Sequence, residues 1–161
     1  MKILAIDPGD VTSGYVMLDG YKAERHGIAD NQYLLELLEN GSFGVDAVIV
    51  EMVASYGMAV GKEVFETCVW IGRFLQAAKE YSTVDRVYRL DEKIAICHDS
   101  RAKDSNIRQA LIDRFAVFDK KAGKGTKKHP DVFYGFAKDM WSAFAVGVTW
   151  LDKQKEAADG L

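Results

Sequence analysis

The chain has 161 residues, of which 48% are hydrophobic and 28% charged, so we expect a single domain, residues 1–161, with a substantial core. Its formal net charge of −3 argues against a general nucleic-acid binder, because such domains are usually basic. No apolar run approaches the roughly 18 residues that a membrane span needs, so we expect no membrane association. Cys68 and Cys97 are isolated in the sequence, which favours reduced thiols and a cytoplasmic location.

The predicted elements describe an α/β protein. In chain order we expect strands over residues 2–7, 14–18 and 21–28, a helix over 31–40, a strand over 46–51, a helix over 59–80, a strand over 84–90, and helices over 91–97, from 100 or 103 to 115, and over 138–153. Asp19-Gly20 is a hairpin signal between the second and third strands. The order predicts a five-stranded mixed sheet, a three-strand antiparallel meander plus two parallel strands, flanked by helices.

Apolar spacing predicts the inner faces of the first two helices. The expected core residues of the first helix are Tyr33, Leu34, Leu37 and Leu38. Those of the second helix are Val60, Val64, Cys68, Ile71, Leu75 and Ala78.

Three acids stand at the ends of predicted buried elements. Asp7 follows the first strand, Glu51 ends the fourth, and Asp139 lies in the first turn of the last helix. Because the first and fourth strands should be parallel neighbours, Asp7 and Glu51 are expected side by side at the carboxyl edge of the sheet, where α/β proteins hold ligands. Each acid also has a structural explanation as a turn residue or helix cap, and Asp10 is better explained as a turn residue.

The three acids favour a hard divalent cation. Mg²⁺ prefers oxygen ligands, and two such ions about 3.5–4 Å apart promote phosphodiester hydrolysis. His26, His98 and His129 are far apart in sequence and show no zinc-ligand spacing. We therefore expect Mg²⁺, with two ions in the site.

A lysine-rich segment precedes the last helix. Its cations are Lys120, Lys121, Lys124, Lys127, Lys128 and His129. We call residues 119–137 the lysine loop. Composition alone favours a solvated surface segment, and a phosphate-contacting arm is the alternative if the protein binds a polyanion.

Several motifs resemble the RuvC-type Holliday-junction resolvases, which have a ribonuclease-H-like fold. The run from Ile3 to Gly9, followed by Gly14-Tyr15, is similar to the opening of that family, and the strand ending at Glu51 is similar to its second acidic strand. The segment from Asp139 to Ala145 resembles its last-helix motif. The closest similarity is to the short RuvC-like proteins of bacteriophages and prophages.

The resemblance implies a homodimer that nicks opposed strands of four-way DNA junctions with Mg²⁺ or Mn²⁺. By position, Asp7, Glu51 and Asp139 are the implied catalytic residues and metal ligands. Ser142 stands where the family has a fourth carboxylate. A helix places residues 139 and 142 on one face, so Ser142 is expected to join the site but to hold the second metal more weakly.

The resemblance also gives the basic and aromatic residues a role. The expected DNA-contacting residues are Arg73, Lys93, Arg101, Lys103, Arg108, Lys121, Lys124, Lys127 and Lys128. Tyr56 and Met58, just before the long helix, are expected to probe the junction centre. Phe65 is a further candidate, although a core position is the better expectation for it. Arg73 and Trp70 are expected on the non-core face of the long helix.

Three other functions are compatible with parts of the pattern. Sugar-kinase and actin-like ATPases share an Asp-x-Gly turn, but they need two domains and a second phosphate loop that 161 residues cannot supply. A broader debranching nuclease remains open. So does a junction-binding dimer whose cleavage is impaired because Ser142 is not an acid.

Overall fold

The computed structural model describes residues 1–160. Its elements are β1 (Lys2–Asp7), β2 (Thr12–Asp19), β3 (Lys22–Asp30), α1 (Asn31–Glu39), β4 (Ala47–Met52), α2 (Lys62–Ala78), β5 (Thr83–Tyr88), α3 (Arg89–Cys97), α4 (Asp104–Phe115) and α5 (Asp139–Asp159). All ten predicted elements are therefore present.

The five strands form one mixed sheet in the order β3-β2-β1-β4-β5. β1, β2 and β3 pair antiparallel, whereas β1 pairs parallel with β4 and β4 with β5. The predicted meander with two parallel strands is confirmed. Gly20 in the β2–β3 turn has φ of 58°, a left-handed conformation that glycine adopts without strain.

The three central strands, β2, β1 and β4, are buried on both faces, and alternate residues of β1 show how. Ile3 and Ala5 pack in a cluster with α4 and α5, whereas Leu4 and Ile6 pack in a second cluster with α1 and α2. Successive strand residues point to opposite faces, so a strand covered on both sides is apolar throughout. Asp7 continues the series of alternate residues that begins with Ile3 and Ala5, so its side chain points to the α5 face of the sheet.

α5 lies very close to the sheet. A Cβ at Gly147 would lie 2.4 Å from Leu18 Cδ1 and 3.3 Å from Ala5 Cβ, so a larger residue there would displace the Leu18 side chain or move the helix. Next to it, a group of large aromatic rings fills the space between α5 and the lysine loop: Phe133, Phe136, Trp141 and Phe144.

Some predicted helix faces and ends were wrong. Tyr33 is 52% exposed and Leu35 is buried in its place. On α2 the buried positions are Thr67, Ile71, Phe74 and Ala78, because the contact with the sheet is rotated from the expected stripe. α3 begins at Arg89 rather than Asp91, and α5 extends six residues beyond 153.

Two further observations concern the cysteines and the helix lengths. Cys68 and Cys97 are both free thiols, as predicted. Within residues 1–160, the helices are too short or too polar to traverse a lipid bilayer.

Candidate active site

The carboxyl edge of the sheet brings two of the predicted acids to one face. β1 and β4 pair in register up to Ile6 and Val50, and Asp7 and Glu51 each follow by one residue. Ala47 and Ile49 pack toward α5, so Glu51 has the same parity and points to that face as well. Both side chains are half-buried, which places two charges where the core meets solvent.

A glycine in β2 positions the third acid. Gly14 is the register partner of Asp7 across the β1–β2 pair. A Cβ built on Gly14 would lie 2.5 Å from the Asp139 carbonyl oxygen and 2.7 Å from Asp139 Cβ. The start of α5 therefore lies directly against the backbone beside Asp7. We call Asp7, Glu51 and Asp139 the carboxylate site.

The acids of the carboxylate site have too little positive charge around them to balance their own negative charge. Burial, together with the neighbouring charges of Glu51 and Asp139, raises the pKa of Asp7 to about 8. Burial also raises the pKa of Glu51, although the nearby Arg89 guanidinium opposes this shift. Glu51 Oε2 is buried and accepts no hydrogen bond from the described residues. Such a carboxylate cluster favours binding of a cation.

Two residues of α3 that the sequence did not identify complete this region. Arg89 Nη1 lies 2.7 Å from Glu92 Oε2 and 4.0 Å from Glu51 Oε2. Its other terminal nitrogen pairs with Asp104 at the start of α4. Glu92 is fully buried, and burial with the adjacent Glu51 raises its pKa well above the usual range.

The pairing of β4 with β5 explains how Arg89 reaches Glu51. Glu51 is the register partner of Val87, and the chain enters α3 two residues later at Arg89. The sequence pattern predicted a strand through residue 90, so this turn into α3 was missed. The signal in the sequence was Asp91, three residues after Tyr88: its Oδ2 accepts a hydrogen bond from the Tyr88 N–H at 3.2 Å, as in a helix capping box.

A cavity of about 240 Å³ opens beside Asp139. Its polar and charged lining comes from α3, α4 and α5: Arg89, Asp104, Arg108, Lys138, Asp139 and Ser142. Ser142 thus faces the same space as Asp139. Lys138, which sequence reasoning did not single out, has φ of 47°, a strained conformation for a residue with a Cβ.

The donor set fits a hard divalent cation, although the ligands are not gathered around one point. Among residues 1–160, no three His, Cys, Asp or Glu side chains are arranged to hold one metal ion as they stand. The available donors are oxygens, and Glu51 contributes the buried oxygen without a hydrogen bond described above. Oxygen donors of this kind suit Mg²⁺ or Mn²⁺, and binding requires the carboxylates to turn toward each other.

The predicted DNA-contacting residues fall into three groups. Arg108, Lys121 and Lys124 line a second cavity, of about 580 Å³, that shares Asp104 and Trp141 with the first. A second group lines neither cavity and lies on α3, in the α3–α4 connection and in the lysine loop: Lys93, Arg101, Lys103, Lys127 and Lys128. Arg73 lies apart from them, on α2 across the sheet, with its guanidinium 4.2 Å from the Trp70 ring centre.

The lysine loop is held by two aspartates. Burial raises the pKa of Asp131, but hydrogen bonds from the N–H groups of Val117, Asp119, Phe118 and Val132 outweigh it, so the pKa lies well below its usual range. Hydrogen bonds from four loop N–H groups, Ala122 and Gly125 foremost, likewise lower the pKa of Asp119. The loop therefore has a defined backbone, unlike a flexible solvated segment.

The segment before α2 presents apolar side chains to solvent. Tyr56 is 62% and Met58 73% exposed, and Tyr56 has φ of 48°. Phe65 on α2 is also 62% exposed, so the expectation of a core position for it was wrong. Trp70, by contrast, packs partly against the core and does not lie on an exposed face.

Comparison with known proteins defines the class of this fold. No protein-family model and no curated protein sequence matches the chain. Among solved structures, Thermus thermophilus RuvC matches with a TM-score of 0.69 at 16% identity over 97% of each chain. The T. thermophilus RuvC complex with Holliday junction substrate matches with a TM-score of 0.67, at 16% identity over 92% of each chain. The five-stranded mixed sheet with its helices is thus a ribonuclease-H-like α/β fold.

The particular form of that fold is the one found in RuvC-type resolvases. The yeast mitochondrial Holliday junction resolvase Ydc2 also matches, with a TM-score of 0.56 at 12% identity, over 95% of this chain and 78% of that one. The fold expected from the motifs is confirmed. The similarity to bacteriophage proteins remains a prediction.

Proposed function

We propose that this protein is a metal-dependent, structure-selective DNA endonuclease that resolves four-way junctions by paired nicks. The observation that supports this most is the convergence of Asp7, Glu51 and Asp139 at one sheet edge, in a fold shared with RuvC. One neighbour was solved with a Holliday junction substrate, which supports branched DNA as the ligand.

In this proposal, Asp7, Glu51, Asp139 and Ser142 hold two Mg²⁺ or Mn²⁺ ions. Bound divalent cations would polarise the scissile phosphate and neutralise the charge that develops on it. Hydrolysis adds one water across a phosphodiester: the water oxygen joins phosphorus, and the sugar oxygen leaves with a proton. The half-buried position of Asp7 and Glu51 limits bulk water near the charges, which strengthens their interaction with the cations.

The basic residues beside the cavity would position the DNA strand. Arg108, Lys121 and Lys124 line the larger cavity, which shares Asp104 and Trp141 with the cavity beside Asp139. Phosphate contacts of this kind fix register and orientation without reading sequence. The defined backbone of the lysine loop favours the phosphate-contacting interpretation over the solvated one.

We further propose a homodimer, because a four-way junction offers two equivalent strands. The exposed side chains of Tyr56, Met58, Phe65 and Val69 lie before and along α2 and offer apolar surface for a partner or for junction bases. A cytoplasmic site of action in DNA recombination or repair accompanies the proposal, in a host bacterium if the gene belongs to a phage.

The test is cleavage of a synthetic four-way junction, a flap and a linear duplex in Mg²⁺ and in Mn²⁺. We expect symmetric paired nicks on the junction. Asp7→Asn should lower the rate by at least about a thousandfold, since several kcal/mol of stabilisation depend on the cations. It should leave junction binding largely intact. Unchanged cleavage by Asp7→Asn would refute the role of the carboxylates.

Ser142 supports one alternative function, a junction-binding dimer with impaired cleavage. Tight junction binding by the wild-type protein without nicks in either metal would favour that alternative. Cleavage of flaps as fast as junctions would instead indicate a broader debranching nuclease.

A further inference from the structure

The position of Ser142 leaves the proposed metal site short of one negative charge. Ser142 faces the 240 Å³ cavity beside Asp139, but its hydroxyl carries no charge. Cation affinity depends on the number of charged ligands as well as on their geometry. Another acid at the same cavity would supply the charge that Ser142 lacks.

Asp104 is an acid at that cavity which comes from a different element. It is the first residue of α4 and lines the cavity together with Asp139 and Ser142. Its side chain is 82% exposed, so it can turn without disturbing the core. The sequence motif could not identify it, because α4 is distant from Ser142 along the chain.

Arg89 connects Asp104 to the carboxylate site. One guanidinium nitrogen is held by the fully buried Glu92, and the other pairs with Asp104. The same guanidinium lies 4.0 Å from Glu51. Arg89 is thus an internal cation placed among the acids that a metal would bind.

The buried acids behind Arg89 point to a further cation. Glu51 Oε2 and Glu92 Oε1 are both buried and accept no hydrogen bond from the described residues, although Arg89 lies between these side chains. A buried carboxylate oxygen without a hydrogen bond is costly. Arg89 leaves two such oxygens in this group of acids, and either a proton or a bound cation would stabilise them.

We propose that Asp104 supplies the fourth carboxylate of the metal site in place of the residue at Ser142, and that Arg89 holds Asp104 at the cavity. This inference rests on the proposed nuclease function. It assigns a ligand to an element, the N-terminus of α4, that the acidic motifs do not include.

The primary experiment measures Mn²⁺ binding by titration calorimetry without DNA. Asp104→Asn should weaken Mn²⁺ binding by roughly tenfold or more. The double variant Asp104→Asn with Ser142→Asp should recover most of that affinity, because it restores the charge at the expected helix position. Asp113→Asn is the matched control: it removes the same charge from an exposed site on α4 and should bind Mn²⁺ like the wild type.

Junction cleavage provides the second readout. Asp104→Asn should cut more slowly than Asp113→Asn, and Ser142→Asp should rescue it. Thermal unfolding monitors folding, and Asp104→Ser serves if the asparagine variant is misfolded.

Two results would overturn the inference in different ways. If Asp104→Asn binds Mn²⁺ and cuts like Asp113→Asn while Asp7→Asn is inactive, Asp104 is not a ligand and the nuclease proposal stands. If the wild-type protein neither binds Mn²⁺ nor cuts any substrate, the proposed function fails, and this inference with it.

Discussion

The carboxylate site and the lysine loop both contain aspartates at the edge of the core, but their electrostatic states are opposite. Asp131 accepts four backbone hydrogen bonds, and its pKa is lowered. Asp7 lies beside other acids, and its pKa is raised to about 8. The same residue type therefore serves structure in one region, where N–H groups satisfy it, and remains available to a ligand in the other.

The largest expected effect comes from moving Asp139 away from Asp7, which would disrupt the carboxylate site and leave the lysine loop unchanged. Gly14→Ala places a Cβ 2.5 Å from the Asp139 carbonyl oxygen, so the start of α5 must move. We expect a loss of about 1–3 kcal/mol in unfolding free energy and of nearly all cleavage. Urea unfolding and a junction-cleavage assay measure these effects.

Gly72→Ala is the control for that substitution. A Cβ at Gly72, within α2, meets no atom within 4 Å among the described residues. It should raise stability by about 0.5–1 kcal/mol through helix propensity. If Gly14→Ala were as stable and active as Gly72→Ala, the close contact with α5 would be unimportant.

Opposite pH dependences sharpen the comparison. The folded-state pKa of Asp7 is raised, so its stability contribution is complete below the unfolded pKa and is lost as the pH rises through about 8. The pKa of Asp131 is lowered, so its contribution is present above the unfolded pKa and is lost as the pH falls. In EDTA, Asp7→Asn should become the more stable protein at alkaline pH, by on the order of 2 kcal/mol.

Urea unfolding from about pH 2 to about pH 9 measures both effects. Asp131→Asn should lower the unfolding midpoint at neutral pH and flatten the acid limb of the profile. If the unfolding free energies of the wild type and Asp7→Asn changed with pH in the same way, the pKa of Asp7 would not be raised in the folded protein.

Removing three lysines tests whether the lysine loop acts on DNA. Replacing Lys124, Lys127 and Lys128 with alanine should weaken binding to all DNA and reduce the slope of log affinity against log salt by about 2–3. Replacing Lys22, Lys79 and Lys155, which lie outside the loop and the cavities, is the matched control. If both triple variants had the same slope of log affinity against log salt, the lysine loop would be a solvated surface segment that does not contact DNA phosphates.

The smallest expected effect concerns the residue that joins the two regions. Lys138 ends the loop segment before Asp139 with φ of 47°. Lys138→Gly should raise unfolding free energy by about 1 kcal/mol, because glycine adopts this conformation without strain. Lys138→Ala keeps the strain and should not be stabilised. A stabilised alanine variant would show that the side chain, rather than the backbone, carries the cost.

Much of the fold was predictable because it depends on local patterns. The apolar runs of β1 and β4 predicted buried strands, and Asp19-Gly20 predicted the hairpin that fixes the β2–β3 register. The same patterns placed Asp7 and Glu51 at a shared edge, because parallel pairing follows from a helical crossover. Helix faces were less predictable: Tyr33 and Phe65 are apolar yet exposed, because neighbours distant in sequence decide which face is covered.

The sequence by itself determined the meander, the parallel strands and the acids at the strand ends. The tertiary structure decided that Gly14 lies against Asp139. Only the tertiary structure decided that Arg89, Glu92 and Asp104 join them, and that Asp119 and Asp131 order the lysine loop. The reason is physical: hydrophobic periodicity and turn chemistry are written in consecutive residues, whereas charge pairing at a cavity depends on how separate helices meet in space.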